Sequence, residues 1–218
     1  MKAILFDMDG TVLNTIDDIH ASVNHALKRH HYPIKTVDEI KRGVGNGAYH
    51  LIENVVPEDL SQKEIQSVFD IYQTYYDTHN QVYTKPYPGI INCLRVLKTK
   101  GYKLGVVSNK YDYLVKALNE EMFDSLFDVA IGEIKGIPIK PAPDMLYQAL
   151  KVLNISINEA IFIGDSDTDL QTAKNAKMKA IAVTWGYRDK KTLKTYEPEA
   201  LVDTVDELDK TIERISTL

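Results

Sequence analysis

Five short apolar runs, each closed by polar residues or glycine, constrain the fold more than any other feature of this chain. They occupy residues 3–6, 104–107, 129–131, 161–163 and 180–183. Each is too short for a helix, and as a set they are rich in β-branched residues, so they read as buried strands. Helical patterns at 90–100, 111–121, 144–153 and 167–176 separate them. Strand and helix alternating in this way predict an α/β fold: a doubly wound parallel sheet, Rossmann-like, with helices on both faces. Residues 200–202 add a short edge strand, and residues 205–215 a closing helix.

One stretch breaks the alternation. Between residues 14 and 86 the pattern is helical only. Ile16, Ile19, Val23 and Leu27 recur at helical spacing, and Thr15 with Asp18 predicts a capping box. Ser61 with Glu64 opens a second long helix carrying Ile65, Val68, Phe69 and Tyr72 on one face, and a glycine-rich loop at 43–47 lies between the two. Pro86, Pro88 and Gly89 mark the return to strand–helix alternation. The expected organisation is an α/β catalytic core from residues 1–14 and 87–218, with a helical cap at 15–86 inserted after the first strand.

Composition narrows the setting. With 218 residues, 44% hydrophobic and 26% charged, the chain can bury one good core plus a small second unit. No apolar run approaches the ~20 residues of a membrane span, and the N-terminal run is too short for a signal peptide. The single Cys93 excludes an internal disulfide and sits on an apolar helical pattern, so it reads as a buried structural thiol in a cytoplasmic protein. A net charge of −5 without a basic stripe argues against nucleic acid. The expected partner is a small molecule, with neither nucleic acid nor membrane, and the expected assembly a monomer or homodimer.

The polar residues cluster where the runs end. Asp7-Met8-Asp9-Gly10-Thr11 follows the first, Ser108-Asn109-Lys110 the second, and Gly164-Asp165-Ser166-Asp167-Thr168-Asp169 the fourth; Lys140-Pro141-Ala142-Pro143-Asp144 precedes the helix leading to the fourth. In an open parallel sheet the carboxyl ends of the strands form the ligand crevice, so these segments should converge. Asp7, Asp9, Asp165 and Asp169 would crowd like charges, which calls for a cation. Oxygen donors without His or Cys favour Mg²⁺. Ser108, Asn109 and Lys140 offer hydroxyl, amide and positive charge to an anion, which together with a metal is how a transferring phosphoryl group is stabilised. Asp167, taken alone, reads as a solvated loop acid.

These four motifs resemble those of the haloacid dehalogenase-like superfamily, and the placing of the insertion resembles its helical first-type cap. Gly43-Val44-Gly45-Asn46-Gly47, Tyr87-Pro88-Gly89, Ser108-Asn109-Lys110, Lys140-Pro141-Ala142-Pro143-Asp144 and Trp185-Gly186-Tyr187 are most similar to the phosphoglycolate phosphatase branch. Asn14 stands where many members have Asp, and Ser108 where that branch often has Thr. The resemblance implies a Mg²⁺-dependent phosphatase acting on a small phosphate monoester. Asp7 would be the nucleophile, forming an aspartyl phosphate, and Asp9 the general acid and base. The metal would be held by the Asp7 side chain, the Asp9 backbone carbonyl and Asp165, with Asp169 orienting that shell or binding through water. Ser108, Asn109 and Lys140 would hold the phosphoryl oxygens, with Thr11 supporting Asp9 and its loop. In the cap, Gly45 and Asn46 present backbone N–H groups, and Arg42 is expected to pair with a carboxylate of a substrate such as 2-phosphoglycolate.

Several rivals share parts of this pattern. A dehalogenase of the superfamily lacks the second Asp of the first motif, so Asp9 counts against it. A sugar phosphomutase or a pyrophosphatase would carry the same core motifs. A phospho-accepting receiver domain also combines acids, a hydroxyl, a lysine and Mg²⁺, but it is shorter and has no helical insertion.

Overall fold

Central strand β1 (Ala3–Phe6) is buried along its whole length, which is why it reads as a continuous apolar run rather than an alternating one. The computed structural model describes residues 1–216. After β1 come β2 (Leu13–Asn14), α1 (Ile16–Arg29), α2 (Val37–Gly43), α3 (Ala48–Val55), α4 (Gln62–His79) and β3 (Lys85–Pro86). The chain then alternates: α5 (Ile90–Thr99), β4 (Lys103–Tyr111), α6 (Asp112–Phe123), β5 (Val129–Glu133), α7 (Asp144–Leu153), β6 (Ala160–Gly164), α8 (Asp167–Ala176), β7 (Lys179–Val183), α9 (Lys190–Lys194), β8 (Ala200–Val202) and α10 (Val205–Ser216).

Six strands form one parallel sheet in the order β5-β4-β1-β6-β7-β8. Ile4 and Phe6 of β1 face a layer that includes Leu94 of α5, Val115 of α6 and Ile212 of α10. Ala3 and Leu5 face the opposite layer, with Leu146 of α7 and Leu170 of α8. The two-residue period of the strand thus feeds both cores at once. From β1 the chain builds β4 and β5 on one side, then crosses to β6 on the other. The switch in strand order therefore opens a crevice at the carboxyl end of β1, where Asp7 stands. Strand β4 runs beyond its apolar stretch because its register against β5 shifts between Val107 and Tyr111. Such an irregularity re-aims side chains, and here it falls on Ser108, Asn109 and Lys110.

Helices α1 to α4 bury a separate cluster, with Val23 and Leu27 against Ile52, Val68 and Tyr72. The two segments joining them to the sheet pair as antiparallel β2 and β3, Leu13 opposite Pro86 and Asn14 opposite Lys85. Both these strands and the short helices α2 and α3 escaped the periodicity reading, because two-residue strands and helices of seven or eight residues carry too few repeats. Ser61 and Glu64 form their capping box. Thr15 and Asp18 do not. The buried Asp18 carboxylate accepts the backbone N–H groups of Tyr83 and Thr84 instead, at 2.8–3.0 Å, satisfying linker donors that would otherwise be orphaned. Cys93 lies buried on α5, and burial pushes its thiol up to about 11. Among the described residues, no helix is long and apolar enough to cross a membrane.

Candidate active site

Asp7 closes β1 by donating its backbone N–H to Ile163 O at 2.8 Å, and the chain then folds back, with Val12 and Leu13 donating to Met8 O. Gly10 makes the turn at φ +92°, and a Cβ there would overlap the Asp165 carboxylate. Gly186 abuts the same carboxylate, and a Cβ there would also overlap it. Two glycines thus make the room that Asp165 occupies.

Three carboxylates meet at this point. Oxygens of Asp7, Asp165 and Asp169 all lie within 4.8 Å of one another, and all three residues are buried. Asp165, directly after β6, accepts from Thr11 Oγ1 at 2.9 Å and from the Tyr187 backbone N–H at 2.7 Å. Asp169, in the first turn of α8, closes a capping box with Ser166 through one oxygen and accepts from Lys140 Nζ at 2.6 Å through the other. Lys140 Nζ also donates to Asp7 Oδ1 at 2.7 Å. One buried ammonium is therefore shared by two carboxylates, and a third carboxylate lacks a cation.

The titration directions follow from that count. Burial, followed by the Asp169 charge, pushes Asp7 up to about 7; Lys140 opposes this and does not overcome it. Burial, then Asp169 and Asp7, lifts Asp165 well above the usual carboxylate range against the hydrogen bonds from Tyr187 and Thr11. Lys140 loses hydration on burial, yet Asp169 and Asp7 more than offset this and hold its ammonium charged. Excess negative charge presented by oxygen donors alone, with no His or Cys among them, fits a hard divalent cation of the Mg²⁺ kind.

The remaining expected residues divide. Ser108 is buried, lines the cleft and accepts the Lys110 backbone N–H through Oγ. Asn109 is spent on backbone: its amide donates to Gly45 O and Lys140 O, and its carbonyl accepts from Lys140 N, all at 2.8 Å. It fixes the lysine loop rather than offering a free donor to an anion. Thr11 supports Asp165, not Asp9. The Asp9 carboxylate stands apart from the three-acid group, held by Lys110 Nζ at 2.9 and 3.1 Å. Lys110 also donates to Tyr76 OH of α4 at 2.7 Å, and its ammonium lies 4.9 Å from the Tyr76 ring centroid. The sequence assigns Lys110 no role of its own; its place two residues beyond Ser108 on β4 is the signal that marks it.

The helices close the cleft from above, with Ile19, Leu51, Tyr72 and Tyr76 lining it together with Asp9 and Lys110. Gly45 lines it, whereas Asn46 turns to α8 and accepts from Thr168 Oγ1 at 2.8 Å. Arg42 does not reach the cleft. It is exposed, on a separate groove with Lys35, Glu39 and Asn54. Helix α2 buries Ile40 and Gly43, and Arg42 sits about 100° around the helix from Gly43, on another face. The arginine at this junction is Arg188. Its guanidinium donates to Lys41 O at 2.7 Å and Val44 O at 2.8 Å, and pairs with Asp167 at 2.7 Å. Asp167 is thus an ion-pair partner rather than a solvated acid. Tyr187, next in sequence, places its hydroxyl against Thr15 N and Oγ1.

Known proteins resemble this chain in sequence and in fold. The sequence model of the family described as Haloacid dehalogenase-like hydrolase matches residues 4–183. The chain is 32% identical over 192 residues to the phosphoglycolate phosphatase of Aquifex aeolicus (strain VF5), covering 86% of each chain. It is 29% identical over 210 residues to the pyrophosphatase PpaX of Anoxybacillus flavithermus (strain DSM 21510 / WK1), covering 95% of each. The crystal structure of a Lactobacillus delbrueckii subsp. bulgaricus protein superposes with a TM-score of 0.92 at 37% identity, over 97% of this chain and 98% of that one.

Proposed function

The chain belongs to the haloacid dehalogenase-like hydrolase family and is a phosphatase of its phosphoglycolate phosphatase-like branch; from that premise we propose that it hydrolyses a small phosphate monoester, with Mg²⁺, through an aspartyl phosphate on Asp7. One observation carries the reading: Asp7 ends the central strand beside Lys140, with oxygens of Asp165 and Asp169 within 4.8 Å. Asp7 and Asp165 side chains and the Asp9 carbonyl would hold the metal, while Asp169, already bonded to Lys140 and Ser166, would orient that shell. Bound Mg²⁺ supplies a Lewis acid that polarises the phosphoryl oxygens and offsets the excess negative charge.

The chain's own groups do the rest. An Asp7 oxygen attacks phosphorus in line, and the bond to the leaving oxygen breaks. Asp9 gives that oxygen its proton. Water then attacks the aspartyl phosphate while Asp9 takes a proton back, and the bond to Asp7 breaks to release phosphate. Lys140 and Ser108 bind the phosphoryl oxygens. Asn109 and Thr11 are positioning residues, through Lys140 and Asp165 respectively.

The helical segment 15–86 acts as a cap over this core. The paired linkers β2 and β3 form its hinge, and closure excludes water from the leaving-group side. Phosphoglycolate and pyrophosphate, named for the Aquifex and Anoxybacillus relatives, share a leaving half that is itself anionic. That common chemistry supports a small phosphoglycolate-like ester for this chain. A monomer or homodimer is the assembly proposed, and the lone buried thiol supports a cytoplasmic setting.

The test is turnover of 2-phosphoglycolate and p-nitrophenyl phosphate with Mg²⁺, in chelator, and by Asp7→Asn. Activity should disappear in chelator and in the folded variant. Substantial turnover by folded Asp7→Asn would sink the nucleophile assignment, and full activity in chelator the metal.

A further inference from the structure

We infer that Lys110 reads the anionic group on the leaving half of the substrate; the inference rests on the phosphatase reading above. Among the described residues lining the cleft, only Lys110 and Lys140 are cationic. Lys140 is committed at the phosphoryl end, bonded to Asp7 and Asp169. Arg42 lies on another face, and all three guanidinium nitrogens of Arg188 are engaged by Asp167 and two cap carbonyls. An anion in the leaving group therefore meets one ammonium that is not already shared between two carboxylates, and it would take the place of Tyr76 or of one Asp9 oxygen there. Lys110 sits where that group must go. It is beside Asp9, the proton donor to the leaving oxygen, and beneath Tyr76 of the cap.

The site itself sets the precedent for sharing. Lys140 serves two carboxylates at 2.7 and 2.6 Å. Lys110, with only 5% of its side chain exposed, serves one carboxylate and one neutral phenol. It has one anion fewer than its neighbour in an equally dry setting, and a carboxylate or phosphate on the leaving group supplies it. Apart from Asp9, the cleft is lined beside Lys110 by uncharged residues that include Leu51, Tyr72, Tyr111 and Leu114. A charge-assisted hydrogen bond formed there would not be diluted by competing cations. Tyr76 ties the same ammonium to α4, so reading the anion and seating the cap engage one group.

The experiment compares kcat/KM for 2-phosphoglycolate and 2-hydroxyethyl phosphate, which differ in a carboxylate against a neutral CH₂OH. Wild type should prefer the carboxylate by about 10–100-fold, the worth of one hydrogen bond to a charged group. Lys110→Met should bring the ratio within about three-fold of unity, whatever it does to both rates through Asp9. A wild-type enzyme without the preference overturns the inference, and that result needs no variant to fold. A folded Lys110→Met enzyme that slows both esters alike and keeps the ratio also overturns it, leaving Lys110 as a support for Asp9 alone. If wild type hydrolyses neither ester nor p-nitrophenyl phosphate with Mg²⁺, the phosphatase reading itself fails; turnover without preference sinks only the role of Lys110.

Discussion

The floor and the roof of the cleft are built on different principles. On the floor, Lys140 joins Asp7 and Asp169 through charged hydrogen bonds of 2.6–2.7 Å, Thr11 holds Asp165 at 2.9 Å, and Gly10 and Gly186 both abut the Asp165 carboxylate. The roof is aliphatic and phenolic, and it is fastened to the core by side-chain hydrogen bonds, some to backbone groups (Asn109 to Gly45, Arg188 to Lys41 and Val44, Tyr187 to Thr15) and some to side chains (Lys110 to Tyr76, Thr168 to Asn46). A preorganised floor stabilises developing charge without having to rearrange, while a roof held by separate side-chain hydrogen bonds can open for exchange. Chemistry and selection are therefore separable, and substitutions should sort accordingly.

Floor substitutions should have the largest effects. Beyond the loss expected for Asp7→Asn, Asp9→Asn should slow turnover of alkyl phosphates by ~10²–10⁴-fold, the range of a general acid or base. The loss should shrink for aryl phosphates, whose leaving groups need no proton. Equal losses across leaving groups of very different pKa would show that Asp9 acts through Lys110 and Tyr76 rather than on the substrate.

Electrostatic cost on the floor gives the next prediction. Burial and Asp169 raise folded Asp7 from 3.8 to about 7, and Asp165 moves in the same direction. Between those values the folded, metal-free protein binds a proton that the unfolded chain has released. This contribution to stability is full below about pH 4 and disappears as pH rises through about 7. Mg²⁺ replaces that proton, so its effect on Tm should be small at pH 5 and several degrees larger at pH 7.5. Calorimetry at pH 6 should show protons released on Mg²⁺ binding. Equal stabilisation at both pH values would mean that the three acids do not share the ion.

The same division explains what could be read from the amino acids. Asp7, Ser108 and Asp165 each follow the apolar run of a buried strand, and those runs place them at one sheet end without any long-range information. The Ser166–Asp169 capping box was equally local but overshadowed by the acidic pattern around it. Roof contacts are long-range by nature. Arg188 meets Lys41 across nearly 150 positions, and Lys110 meets Tyr76 across 34. No spacing rule connects such pairs. Asp18 shows the limit on local rules too: a motif-like spacing from Thr15 lost to two linker N–H groups that only the folded chain brings near.

The smallest effects separate two arginines, one on the roof and one that reaches it from the core. The glycine-rich loop drew attention to Arg42 because it directly precedes Gly43, but α2 turns that side chain to solvent beside Lys35 and Glu39. Arg188, from the core, holds the carbonyls at the end of α2 with a guanidinium whose side chain is only 13% exposed. Arg188→Ala leaves two carbonyls without a donor and frees the loop carrying Gly45, so kcat/KM for small esters should fall by about ten-fold, the scale of one or two hydrogen bonds to a charged group. Folding should be little affected, because the ion pair with Asp167 is partly solvated. Arg42→Ala removes no partner that faces the cleft, and kcat/KM for 2-phosphoglycolate should stay within about two-fold of wild type, as expected of a surface change. A KM rise confined to carboxylated esters in Arg42→Ala would mean that the cap turns α2 inward when substrate binds, and the roof would then be remodelled during turnover rather than merely opened and shut.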